Sequence, residues 1–126
     1  MHNTLSLPRP DDWHLHLRDG AMMASVLASS TDHFNRALIM PNLVPPVVTG
    51  AEAQAYKTQI MAQLPERSDF SPLMTLYLTE ATDPEDLAKA FKSGLISAVK
   101  LYPAGATTNS ASGVTDFQAV QPALEK

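Results

Sequence analysis

The sequence contains no cysteine, which excludes disulfides, zinc–thiolate centres and cysteine nucleophiles. It also lacks a surplus of positive charge. Nine Lys and Arg against 13 Asp and Glu give a formal net charge of −4, so no global field draws in nucleic acid or an anionic membrane. No apolar run approaches the ~20 residues that span a bilayer, and no signal-peptide core opens the chain. The cytosol is therefore the expected location. A phosphate-cradling glycine loop, a Ser-His-Asp order and a basic aromatic patch are all missing. Length is limiting too: 126 residues suit about one domain, whereas a closed barrel of eight strand–helix units typically takes ~250.

What is present is a 44% hydrophobic chain punctuated as strand, then helix, repeatedly. Residues Trp13 to Arg18 read as a first strand, between the Pro10-Asp11-Asp12 turn and Asp19-Gly20. Ala21 to Phe34 follows as a helix, with Met22, Val26 and Leu27 near helical spacing. The unbroken apolar run Ala37 to Met40 suits a strand buried on both faces of a parallel sheet. Residues 42–50 are a loop, and Ala51 to Leu64 a second helix with Thr49 as its N-cap. Leu73 to Thr79 gives a third strand. Asp83-Pro84-Glu85-Asp86 opens a third helix that ends at Ser93 and Gly94. Ile96 to Tyr102 is the fourth strand. Residues 103–113, all small, polar or turn-forming, read as a mobile loop that cannot pack a core. Thr115 and Gln118 resemble a capping box for a last helix, which Pro122 should kink or restart. Alternating strands and helices predict an α/β fold on a parallel sheet. Met22, Met23, Met40, Met61 and Met74 are expected to fill core gaps.

Chemistry gathers at few positions. His14 and His16, two apart on a strand, share a face and could reach one metal ion together. The plain alternative is one exposed and one core histidine. Arg18 continues that face and suits a carboxylate, unless it pairs with Asp12 or Asp19. Lys100 interrupts a run that looks buried. A desolvated amine tends to lose its charge, and a neutral lysine can take up carbon dioxide as a carbamate, an oxygen ligand for two metals. A lysine near a strand end can equally snorkel into solvent. Asn42, Thr107 and Thr108 fall after strands two and four, on the side where parallel α/β folds bind ligands. His2, near the terminus, and His33, near a helix end, carry little signal.

Together PRPDDWHLHLRDG (residues 8–20), IMPN (39–42) and VKLYPAGATTNSASGV (99–114) closely resemble dihydroorotases of the bacterial homodimeric type, in the amidohydrolase superfamily. The resemblance runs from about Pro8 to the last residue. It implies the first four strand–helix units of a (β/α)₈ TIM-type barrel, with residues 1–126 as its N-terminal half. It implies that His14 and His16 bind the more buried of two zinc ions, which carboxylated Lys100 bridges. Arg18 and Asn42 would hold the substrate carboxylate, and Thr107 and Thr108 would donate from a lid loop. The implied reaction is the reversible, zinc-dependent cyclisation of N-carbamoyl-L-aspartate to L-dihydroorotate in pyrimidine biosynthesis. In the hydrolytic direction a hydroxide attacks the ring amide and an aspartate shuttles the proton.

That aspartate and the remaining histidine ligands come from later strands in the family, so no catalytic base is expected within this chain. By itself the chain is expected to be inactive, and homodimeric when full length. A hydantoinase-like amidohydrolase is the enzymatic alternative, which the KLYPA-TTNS block opposes. A non-catalytic barrel fragment that only associates with a partner or itself is the other, since open strand edges favour association.

Overall fold

Threonine, aspartate and proline decide where the helices begin. The computed structural model describes residues 3–126, so His2 lies outside the described residues. The order is β1 (Asp11–Leu15), α1 (Gly20–Thr31), β2 (Arg36–Ile39), α2 (Gly50–Gln63), β3 (Ser71–Tyr77), α3 (Pro84–Lys92), β4 (Ile96–Lys100) and α4 (Phe117–Leu124). Thr49 caps α2 in a full capping box: its side chain accepts from the Glu52 amide, and the Glu52 side chain accepts from the Thr49 amide. Asp83 caps α3, Pro84 opens it, and Glu85 and Asp86 sit at its positive end with Lys89 and Lys92 in its last turn. Asp86 also accepts from the Gly50 amide at 2.8 Å, joining the starts of α2 and α3.

The strands form one parallel sheet in the order β1-β2-β3-β4. Successive helices pack on one another, α1 on α2, α2 on α3 and α3 on α4. Right-handed crossovers in sequential order put every helix on one side of the sheet. This is the architecture of the first four units of a (β/α)₈ barrel. Between helices and sheet lies a single core that includes Leu17, Met23, Ile39, Ile60, Met74 and Leu76, all at most 1% exposed. At the N-terminal ends of the strands, ion pairs tie the sheet down: Arg36 to Asp11 across β1 and β2, and Arg9 to Asp69. The C-terminal ends are left for other work.

Several expectations need correction. Strand β1 ends at Leu15, and Arg18 has φ of 59°, so the strand alternation stops before the arginine. Helix α1 buries Met23 and Leu27, while Met22 is 59% and Met61 of α2 is 47% exposed; neither fills a core gap. Lys100 is half-buried, because β4 is an edge strand. The cap of α4 is Asp116, not Thr115: the Thr115 amide and hydroxyl are both spent on Glu80. Pro122 is accommodated inside α4.

The 103–113 loop also differs from expectation. Its stem closes through Val114 N–H to Tyr102 O (2.7 Å) and Ala104 N–H to Val114 O (3.0 Å). Val114, 2% exposed, packs into the core, and Ser110, 1% exposed, braces the interior of the loop. Small residues allow this tight fold, whereas bulkier ones would hold the strands of the stem apart.

Candidate active site

The site stands at the C-terminal ends of the strands, where the edge strands β1 and β4 converge. His14 Nε2 lies 3.1 Å from His16 Nε2, and Lys100 Nζ lies 3.1 Å from the same His14 nitrogen. In a flat sheet three strand spacings would set β1 and β4 about 14 Å apart with parallel side chains. The contact therefore reports a curled sheet whose inner face turns side chains of β1 and β4 towards one point. Lys100 also contacts Met40 Sδ at 3.0 Å, and its ammonium sits 4.6 Å from the centre of the Tyr102 ring.

This donor set fits a metal in type and spacing. Two imidazole nitrogens 3.1 Å apart, each about 2.0–2.1 Å from one ion, would subtend an angle of roughly 100°, near tetrahedral. Burial, with the neighbouring charges of Lys100, Arg18 and His14, pushes His16 down to about 4, so its ring is neutral and its lone pair available at neutral pH. Two nitrogens, His16 Nε2 and Lys100 Nζ, crowd His14 Nε2, which has at most one lone pair to offer. Among the described residues no group of three or more His, Cys, Asp or Glu side chains could hold a metal alone. Two histidines and one lysine are what the chain brings to this point.

Arg18 and Asn42 form the second half of the site. Arg18 makes no ion pair with Asp12 or Asp19 among the described residues; Asp12 instead accepts from the His14 amide. The guanidinium donates to the Asn42 carbonyl at 3.2 Å. From α2, the Tyr56 hydroxyl donates to the Arg18 carbonyl at 2.5 Å and holds the left-handed turn in place. Asn42 is 1% exposed, yet neither Nδ2 nor Oδ1 of its side chain has a partner among the described residues. Leaving such atoms unmet costs about 1–3 kcal/mol, so a ligand that accepts from Nδ2 beside Arg18 would be favoured.

Thr107 and Thr108 are exposed on the loop after β4, and no hydrogen bond ties either hydroxyl to the histidines or Arg18 among the described residues. The structure thus brings His14, His16 and Lys100 together and joins Arg18 to Asn42, but joins neither threonine to them by a hydrogen bond among the described residues. Sequence reasoning missed three residues here. Tyr77, in register with Lys100 and fully buried, has a hydroxyl without a partner among the described residues. Glu80 binds the foot of the loop, and Asn109 donates to the Asn42 carbonyl at 3.3 Å. Only for Tyr77, a phenol closing the mostly apolar strand β3, did the sequence hold a signal.

No family profile matches the chain. Individual proteins do. It is 68% identical over all 126 residues to the dihydroorotase of Ruegeria pomeroyi and 65% to that of Roseobacter denitrificans. It spans only 36–37% of those relatives, about a third of their length. Two solved structures are similar as well. Dihydroorotase from Saccharomyces cerevisiae in complex with 5-fluoroorotic acid matches 92% of this chain and 32% of its own, with a TM-score of 0.84 and 38% identity. Dihydroorotase from Campylobacter jejuni matches 93% of this chain and 34% of its own, at 0.83 and 41%.

Proposed function

The chain is related along its whole length to the N-terminal third of dihydroorotases, and from that premise we propose that it carries part of a zinc-dependent dihydroorotase site. The reaction is the reversible interconversion of N-carbamoyl-L-aspartate and L-dihydroorotate in pyrimidine biosynthesis. The observation that carries this reading is the meeting of His14, His16 and Lys100 from opposite edges of the sheet.

His14 and His16 would hold zinc, and Lys100, carboxylated on Nζ, would supply an oxygen ligand beside them. When bound, zinc supplies Lewis acidity, acidifying water and polarising the ring amide carbonyl. Arg18 and the free Nδ2 of Asn42 hold the substrate carboxylate and fix the ring's orientation. Thr107 and Thr108 donate to the substrate from the loop above and exclude water. The proton-shuttling aspartate and further ligands belong to the part of the relatives that this chain does not match. The assembled enzyme is a cytoplasmic homodimer. Among the described residues no helix is long and apolar enough to cross a membrane.

The test is titration of the chain with L-dihydroorotate, followed by backbone amide shifts at Arg18, Asn42, Thr107 and Thr108. Shifts that vanish in Arg18→Ala support the reading. A ligand that moves none of them, or binds Arg18→Ala equally well, overturns it. Hydantoin, which lacks the carboxylate, should bind more weakly; equal binding favours a hydantoinase-like specificity.

A further inference from the structure

The loop from Pro103 to Val114 is built from its own contacts and held to the rest of the molecule by very few. Ser110 is its hub. Its carbonyl accepts from the amides of Gly105 (2.9 Å) and Gly113 (3.0 Å). Its hydroxyl accepts from the Thr107 amide (2.8 Å) and donates to the Thr107 carbonyl (2.5 Å). The loop is therefore a preformed unit standing on its stem. Beyond the stem, one hydrogen bond joins it to another element among the described residues: Asn109 Nδ2 to Asn42 O, at 3.3 Å. A crevice of about 260 Å³ separates residues 43–46 from Asn109, Ala111 and Ser112, so apolar packing does not close the loop there.

We propose that Asn109 is a positioning residue whose side-chain amide latches this loop onto the Asn42 carbonyl, coupling loop closure to the Arg18–Asn42 clamp. The coupling follows from a shared acceptor. The Asn42 oxygen takes one hydrogen bond from Arg18 Nη1 at 3.2 Å and one from Asn109, and a carbonyl has two lone pairs for them. Asn109 has φ of 56°, a left-handed conformation that asparagine tolerates better than most side chains. The residue thus meets two demands, a turn and a donor. Glycine meets the first and not the second. The latch places the neighbouring Thr107 and Thr108 over the clamp and so rests on the proposed anion-binding role of Arg18 and Asn42. The hydrogen bond from Asn109 to the Asn42 carbonyl is made without substrate.

Because the chain has no cysteine, labels can be placed at will. Spin labels at Ala55→Cys on α2 and Ala106→Cys on the loop, both exposed positions, report the loop's position by pulsed electron resonance in ligand-free protein. Losing one ordinary hydrogen bond should raise the open-to-closed ratio about fivefold in both Asn109→Gly and Asn109→Asp. A residue kept only for its backbone would let glycine retain the wild-type distribution, and retention by either variant overturns the latch. Hydrogen exchange at Gly105, Thr107 and Gly113 should stay protected in both variants. Loss of that protection would assign Asn109 to folding the loop and would overturn the proposal equally. If the latch is present while Arg18→Ala leaves L-dihydroorotate binding unchanged, the functional reading fails alone.

Discussion

Gly113→Ala should spring the stem of the loop after β4. A Cβ at this position would lie 2.6 Å from Tyr102 O, 2.9 Å from Ala104 N and 3.0 Å from Ala104 Cα. All three are backbone atoms, so no rotamer change relieves the clash. The nearest relief is to part residues 102–104 from 113–114, which breaks Val114 N–H to Tyr102 O and Ala104 N–H to Val114 O. Two such bonds are worth about 1 kcal/mol each net, and overpacking adds about 1–3 kcal/mol where the stem cannot yield. Stiffening of the unfolded chain returns roughly 0.4–1 kcal/mol. The stem should lose about 2 kcal/mol of closing free energy, or roughly 30-fold in exchange protection. Amide hydrogen exchange at Val114 and Ala104, with the Ile39 and Met74 amides as core references, measures this directly. Protection of Val114 within twofold of wild type would refute the reasoning.

Other outcomes follow from the caps and from Glu80. Thr49→Ala removes the side-chain half of the α2 capping box and should destabilise the chain by about 1 kcal/mol in denaturant unfolding, with an unchanged denaturant slope. Hydrogen bonds from the Thr115 hydroxyl, then from the Asp116 and Thr115 amides, hold the Glu80 carboxyl below its ordinary value. With the folded value depressed, the contribution is complete above about 4.5, the ordinary value, and is lost as pH falls through the lowered one. Protection of the Thr115 and Asp116 amides should therefore drop on acidification in the wild type. In Glu80→Gln it should already be low at neutral pH and change little with acid; a pH response equal to wild type would contradict the assignment.

How much was legible in the sequence varies with the range of the interaction that decides each feature. The helix starts at Thr49 and Asp83 were readable because capping is settled within three or four residues. His14 and His16 were readable because period-2 spacing survives even though the strand ends at Leu15. Arg18 was placed on their face by an alternation that the chain abandons, and its partner, the Asn42 carbonyl, lies 24 residues away. Lys100 stood out as a charge in an apolar run, yet its contact with His14 depends on the curl of the whole sheet. The caps at the end failed for the same reason: Thr115 looks like an N-cap locally and is claimed by Glu80, 35 residues earlier. Loop composition read as mobility, because no local rule says that Ser110 will be buried and will tie four bonds. Asn109 had no sequence signal, since its only long-range partner among the described residues is a backbone oxygen 67 residues away.

The most direct test of the account is ¹⁵N NMR of the histidine rings during zinc titration of the ¹⁵N-labelled, metal-free chain in bicarbonate buffer. The account predicts that His14 and His16 Nε2 shift together and saturate together, with His33 unmoved, and that Lys100→Ala weakens the second phase of binding without abolishing the first. Zinc that leaves both rings unperturbed, or that shifts one and not the other, would contradict it.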